Sequence, residues 1–174
     1  MKQVLNLLLL PTFLFLFLQP TIAQEPTVTA NELNYLRGTW KGTLSYKDYT
    51  SGKTESLPIV MYGWRAGNET KSRRWKIKSE FPNEPKANST DTYTISQDGR
   101  SINGAILVEK STLANGALQL ILEERGKDGN DHKPATFRHI IVVGEKVFSM
   151  SKWVKFDGAT DFFERNTYQL SREF

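Results

Sequence analysis

The sequence has no cysteine and two histidines in 174 residues. Disulfide frames, thiol nucleophiles, Cys-ligated zinc and iron–sulfur sites are therefore excluded, as is a lipid-modified Cys at the head of a mature chain. No Gly-x-Ser-x-Gly elbow is present to carry a serine triad. Nor is there a repeat of 20 to 50 residues or a low-complexity tract, which sets aside propellers and solenoids. Charge of one sign is not in large excess: 23 Lys and Arg face 19 Asp and Glu, a net of +4 spread along the chain. A nucleic-acid surface needs a clustered basic footprint, so no nucleic-acid partner is expected.

The one long apolar run lies at the start. Lys2 precedes Val4 to Leu18, and Thr21-Ile22-Ala23 follows with small residues at the positions a signal peptidase reads. A membrane span needs roughly 20 apolar residues, and this run is shorter and interrupted by Asn6 and Pro11. Residues 1–23 are read as a cleavable signal peptide and 24–35 as a polar lead with one short helical turn. Residues 36–174 are read as the folded domain, secreted or periplasmic after cleavage near Ala23. A domain without cysteine suits a bacterial periplasm or exterior.

What fills that domain is apolar alternation with period two, broken by Gly, Asp and Asn clusters, with no long amphipathic helix. Nine strands are expected near 36–47, 55–64, 73–81, 91–97, 100–109, 117–126, 135–143, 146–156 and 161–172. A two-residue turn at Asp98-Gly99 sets Ile95 opposite Ile102. One at Gly144-Glu145 pairs Val143 with Lys146, Ile141 with Phe148 and His139 with Met150. At Asn115-Gly116 the same test fails, since an inward Leu118, Leu120 and Leu122 conflicts with an inward Ile106 and Val108. A bulge or longer loop is expected there. The fold class is all-β, an antiparallel up-and-down meander of eight to ten strands closed into a barrel, with a β-sandwich as the alternative. Closure places residues 168–172 beside 36–42.

Leu36-Arg37-Gly38-Thr39-Trp40-Lys41-Gly42 puts Gly-x-Trp at the opening of the first strand. It resembles the lipocalin and wider calycin signature, and the chain is similar to exported bacterial lipocalin-like domains of unknown function. The resemblance implies that Trp40 packs across the closed end of the barrel beneath an arginine from the end of the chain. Arg172 fits that role, sharing the inner face with Tyr168 and Leu170. Arg165 is its rival, although alternation turns it outward. The chain departs from typical secreted lipocalins in lacking their cysteines and the helix that follows the barrel.

For chemistry, His132 and His139 stand seven residues apart, a distance of roughly 23 Å on one strand with opposite facing, so no metal site is expected. His139 lies on the apolar face, where a satisfied core histidine is the ordinary reading and an axial haem ligand the alternative. No other cofactor is expected. Glu123 and Glu124 point to opposite faces, with Glu124 at a rim. An inward Phe148, Met150, Val154 and Phe156 carries Lys152 inward, and on the closing strand Glu164 and Asn166 travel with Phe162, Tyr168 and Leu170. A turn at Asp157-Gly158 that pairs Phe156 with Phe162 sets Lys152 opposite Asn166 and diagonal to Glu164. This polar island is either a self-satisfied buried pair or the contact for a ligand's polar end.

The expected lumen contacts are Trp75, Tyr93, Phe137, His139, Met150, Lys152, Glu164, Asn166 and Tyr168, around one small apolar or amphipathic molecule bound without being transformed. Three other readings stand beside it. One is a module that binds an envelope glycan or lipid through Trp64, Trp153 and the basic run Lys71, Arg73, Arg74, Lys76 and Lys78. Another is an enzyme with Glu124 or Glu164 as acid or base, and the last is a barrel filled by its own side chains.

Overall fold

The computed structural model describes residues 25–48, 51–68, 71–129 and 132–172. The signal-peptide reading of residues 1–23 lies outside them. Ten strands follow in chain order: β1 Gly38–Lys47, β2 Thr54–Arg65, β3 Arg74–Glu80, β4 Ser89–Thr94, β5 Ser101–Ile102, β6 Ala105–Thr112, β7 Leu118–Lys127, β8 Pro134–Val143, β9 Val147–Phe156 and β10 Phe163–Ser171. All described pairings are antiparallel, and the order β4-β3-β2-β1-β10-β9-β8-β7-β6-β5 is one continuous sheet. It curls into a nearly closed up-and-down barrel, and the sandwich alternative falls.

Closure occurs as alternation requires. β1 runs against β10 with Lys41 opposite Ser171, Gly42 opposite Leu170 and Leu44 opposite Tyr168. The last gap, between β4 and β5, is spanned by a single bridge of Ile95 to Ile102. Beside it Asn103, held in the left-handed region at φ 52°, acts as a substitute strand. Its backbone N–H donates to the Thr94 carbonyl, its side-chain oxygen accepts from the Thr94 N–H, and its Nδ2 donates to the Thr92 carbonyl. The corner at Asn103-Gly104 divides the fifth expected strand, 100–109, into β5 and β6, which is why ten strands are found and not nine.

The closed end is sealed by the lead. Val28, Ala30, Leu33 and Leu36 are buried in the main core with Trp40, Ile59, Met61, Trp75, Ile77 and Phe148. A 3₁₀ turn at Asn34–Leu36 presents the Leu36 carbonyl to Trp40 Nε1 at 3.2 Å. The turn ahead of it is pinned by Thr29 and Glu32, each bonding back to the other, the reciprocal pattern of a capping box. A second, smaller cluster of Ala135, Phe137 and Val154, with Phe156 and Phe163 against it, sits toward the other end of β8 to β10.

Two registers differ from the sequence reading. The bulge expected near Asn115 sits earlier, at Val108, where β6 shifts against β7 between Leu107 and Glu109. Leu107 is buried, while Ile106 and Val108, expected inward, are exposed. The β8–β9 turn falls one residue later than expected: the Gly144 N–H donates to the Val147 carbonyl, and Val143 lies opposite Phe148, Ile141 opposite Met150 and His139 opposite Lys152. A two-residue turn of the favoured kind needs positive φ at its first position. Gly144 does not adopt it, and its α-carbon is packed against Ala117, where an added Cβ would lie 2.9 Å from the alanine methyl. A slip of two preserves every inward face, but it brings Lys152 beside His139 in place of Met150.

Candidate functional site

The ladder registers stack the interior in layers. At the level of the polar island the opposed residues run Leu122, His139, Lys152, Asn166 and Tyr46 across β7, β8, β9, β10 and β1. One layer nearer the closed end the same strands place Leu120, Ile141, Met150, Tyr168 and Leu44. A cavity of about 270 Å³ opens between these layers, reaching Ile102, Asn103 and Ala105 at the seam. Its wall is mainly apolar, from Leu122, Ile141, Met150 and the rings of Tyr93 and Tyr168. Its polar side chains, besides Asn103 at the seam and Ser151, are Glu124, His139, Lys152 and Asn166.

Those polar groups divide into a paired half and an open half. His139 Nε2 lies 3.1 Å from Glu124 Oε1, a diagonal pair across β7 and β8 in which the imidazole N–H donates to the carboxylate. Lys152 has no carboxylate partner among the described residues, and its Nζ stands 4.3 Å over the Phe137 ring. Tyr93 reaches across the lumen, its hydroxyl donating to Met150 Sδ at 3.7 Å. Burial, aided by the nearby Asp91 carboxylate and the Tyr168 phenol, pushes the Tyr93 hydroxyl far above the usual phenol range. Tyr168 is raised in the same way, by burial and then Asp91. Both phenols therefore stay neutral donors throughout the physiological range.

Of the nine lumen residues expected from sequence, Tyr93, His139, Met150, Lys152, Asn166 and Tyr168 line the cavity. Trp75 is fully buried in the main core beside Tyr93 and supports the wall from behind. Phe137 belongs to the second cluster and meets the site only through the face it offers Lys152.

Glu164 is misplaced by the sequence reading. β10 shifts register between Glu164 and Asn166, so Asn166 faces Lys152 as expected while Glu164 stands opposite Trp153, exposed on the outer wall. The extra residue is Arg165, whose guanidinium is drawn to the buried carboxylate of Asp128, 3.6 Å away, with its side chain 13% exposed. Burial lowers the Arg165 pKa. The bulge also turns Phe162 outward, under Arg138 and Lys155, and Phe163 inward against Phe156. Strict alternation cannot register a single inserted residue.

Asn103, Ala105 and Ile102 were not anticipated as cavity residues, because strand alternation carries no sign of a corner. The Asn-Gly dipeptide at 103–104 was the available signal. Arg172 lies with its guanidinium carbon 4.2 Å over the Trp40 ring, and Trp40 meets Phe148 edge-on at 5.6 Å.

No protein-family model matches the chain, and no curated protein matches it in sequence.

Proposed function

We propose that the protein is an exported, lipocalin-like binding protein that holds one small, mostly apolar molecule in its barrel without transforming it. The observation that carries this reading is the mainly apolar cavity with Lys152 and Asn166 side by side in its wall. Apolar enclosure with a few convergent polar groups is the usual make-up of a small-molecule site. The resemblance is supported by Gly38-x-Trp40 at the head of β1 and by the arginine stacked on that tryptophan. Export rests on the character of residues 1–23.

In this reading the ligand's apolar body lies against Leu122, Ile141 and Met150, and its polar end meets Lys152 and Asn166. A cation left beside a ring face in a partly dry site gains from any acceptor that replaces lost water.

Native mass spectrometry of protein purified gently from an exporting host, before and after organic extraction, tests the reading. A reproducible added mass that extraction removes is expected, with the added mass lost or reduced in Lys152→Met. A bare mass from the native host, together with an extracted protein that fails to bind the apolar dye 1-anilinonaphthalene-8-sulfonate, would replace this reading with a filled barrel.

A further inference from the structure

We propose that the outer face of β2 to β4 is a second binding site, taking an acidic polysaccharide of the uronate class. The proposal is independent of the cavity, because the residues involved point away from it.

Alternation fixes the face. On β3 the inward Trp75, Ile77 and Ser79 are buried, which leaves Arg74, Lys76 and Lys78 outside. The ladder sets Tyr62 beside Lys78 and Trp64 beside Lys76, and on the other flank Thr90 beside Lys78 and Thr92 beside Lys76. The result is two parallel rows, each of ring, ammonium and hydroxyl. Trp64 and Tyr62 are 39% and 36% exposed, among the few large apolar side chains left open.

The charge on this face is concentrated. Residues 71–78, Lys-Ser-Arg-Arg-Trp-Lys-Ile-Lys, hold five cations and no acid, and alternation brings Arg74, Lys76 and Lys78 to this face while Arg73 turns to the depression beside Val28 and Ile95. Lys78 is held by Glu80 at 2.6 Å. Lys71, Arg74 and Lys76 form no ion pair among the described residues, and together with Ser72 and Asn68 they line a shallow depression at the β2–β3 turn, next to Trp64 along the strand. In a protein with a net charge of only +4, these three cations stand together at one corner of the wall.

The chemistry of these rows selects the occupant. An indole or phenol face packs against the C–H face of a pyranose, threonine hydroxyls exchange hydrogen bonds with sugar hydroxyls, and Arg74 and Lys76, two residues apart on one strand, pair with carboxylates along a polymer. An anionic bilayer would share the cations. Bilayer insertion, however, draws on an amphipathic helix or protruding apolar groups, whereas here the two rings lie along a strand wall beside Lys76 and Lys78, with threonines beyond them.

Affinity electrophoresis and titration calorimetry with alginate as the uronate polymer, dextran as the neutral one and phosphatidylglycerol vesicles as the bilayer test the proposal. The protein is expected to bind alginate in low salt, weaken as salt rises and ignore dextran. Trp64→Ala should weaken alginate binding about fivefold or more, with Trp64→Phe retaining most of it. The triple change Lys71→Gln, Arg74→Gln, Lys76→Gln should weaken it further and flatten the salt dependence. Lys152→Met should leave it unchanged, which separates this site from the cavity. Equal behaviour in alginate and dextran, binding to vesicles without binding to alginate, or alginate affinity that survives both the Trp64→Ala and the triple change would overturn it. Trp64, Lys71, Arg74 and Lys76 are on the solvent side of the wall, so unchanged melting temperatures accompany the expected result at those positions.

Discussion

Arg172 covers the face of Trp40 and ties down the chain on either side of Leu36. Its Nη2 donates to the backbone carbonyls of Tyr35 and Arg37, so the last described residue of the chain holds the lead in place over the closed end. Trp40→Ala should destabilise the protein by about 3 to 5 kcal/mol in urea or thermal unfolding, the range for deleting a buried large aromatic ring. Arg172→Met should cost less, about 1 to 3 kcal/mol, by leaving two carbonyls without their donor. A Trp40→Ala loss within error would show that the ring is not a core element.

Gly42 tests the closure itself. An added Cβ would stand 1.9 Å from the Gln169 carbonyl oxygen, so β1 and β10 cannot approach as they do with any side chain there. Gly42→Ala should cost at least about 3 kcal/mol, while Gly129→Ala, where nothing lies within 4 Å, should change stability by less than about 0.5 kcal/mol. Equal effects at the two glycines would mean that the two strands are not in contact.

Acid should loosen the lead before the barrel. Burial works to raise the Glu32 pKa, but the hydrogen bond from Lys110, those from the Thr29 N–H and hydroxyl, and the Lys110 charge together hold it below its ordinary value. A carboxylate whose folded pKa is depressed adds stability above its unfolded pKa of roughly 4.3 and loses it as pH falls through the folded value. Asp98, held low chiefly by the Ser96 hydroxyl and the Arg100 N–H, acts with the same sign. In melts across that acid range, Glu32→Gln should show a shallower fall in stability than the parent. Parallel acid limbs would mean that Glu32 is not coupled to folding.

The seam offers the fourth test. Removing the Asn103 side chain deletes one donor and one acceptor at the β4–β5 seam, which is otherwise held by a single bridge and the backbone hydrogen bonds Ser96 to Ser101 and Asn103 to Thr94. Asn103→Ala should cost about 1 to 2 kcal/mol, and hydrogen exchange should rise at Thr94 and Ile95 with little change at β8 and β9. Uniform exchange across the barrel would show that the seam does not open separately.

Much of this architecture was legible because two-residue periodicity survives most errors. The slip of two at Gly144 left Phe148, Met150 and Lys152 facing inward, and the pairing of β1 with β10 followed from counting strands. Lys152 opposite Asn166 was reached even with the wrong turn. Glu164 was lost because the inserted Arg165 answers to Asp128, a residue far away in sequence that alternation cannot see. The Lys152–His139 pairing was hidden for a similar reason: the turn falls one residue later than the Gly-Glu dipeptide suggests, at a point where Gly144 packs against Ala117 from another strand connection.

The clasp at Asn103 also sets how the protein ages. An asparagine followed by glycine is the pair whose side-chain amide is most readily attacked by the next backbone nitrogen, releasing ammonia, and asparagine counts among the thermolabile residues. In the closed barrel the amide is engaged on both sides and the backbone is fixed. In the opened chain neither restraint remains. Each opening of the seam therefore exposes the residue that recloses it to irreversible conversion into an acid that has no amide left to offer Thr92. The barrel carries a molecular clock that runs while it is open, and peptide mapping should find deamidation at Asn103 accelerating in mild denaturant. A rate at Asn103 unaffected by denaturant would show that the closed seam gives no protection.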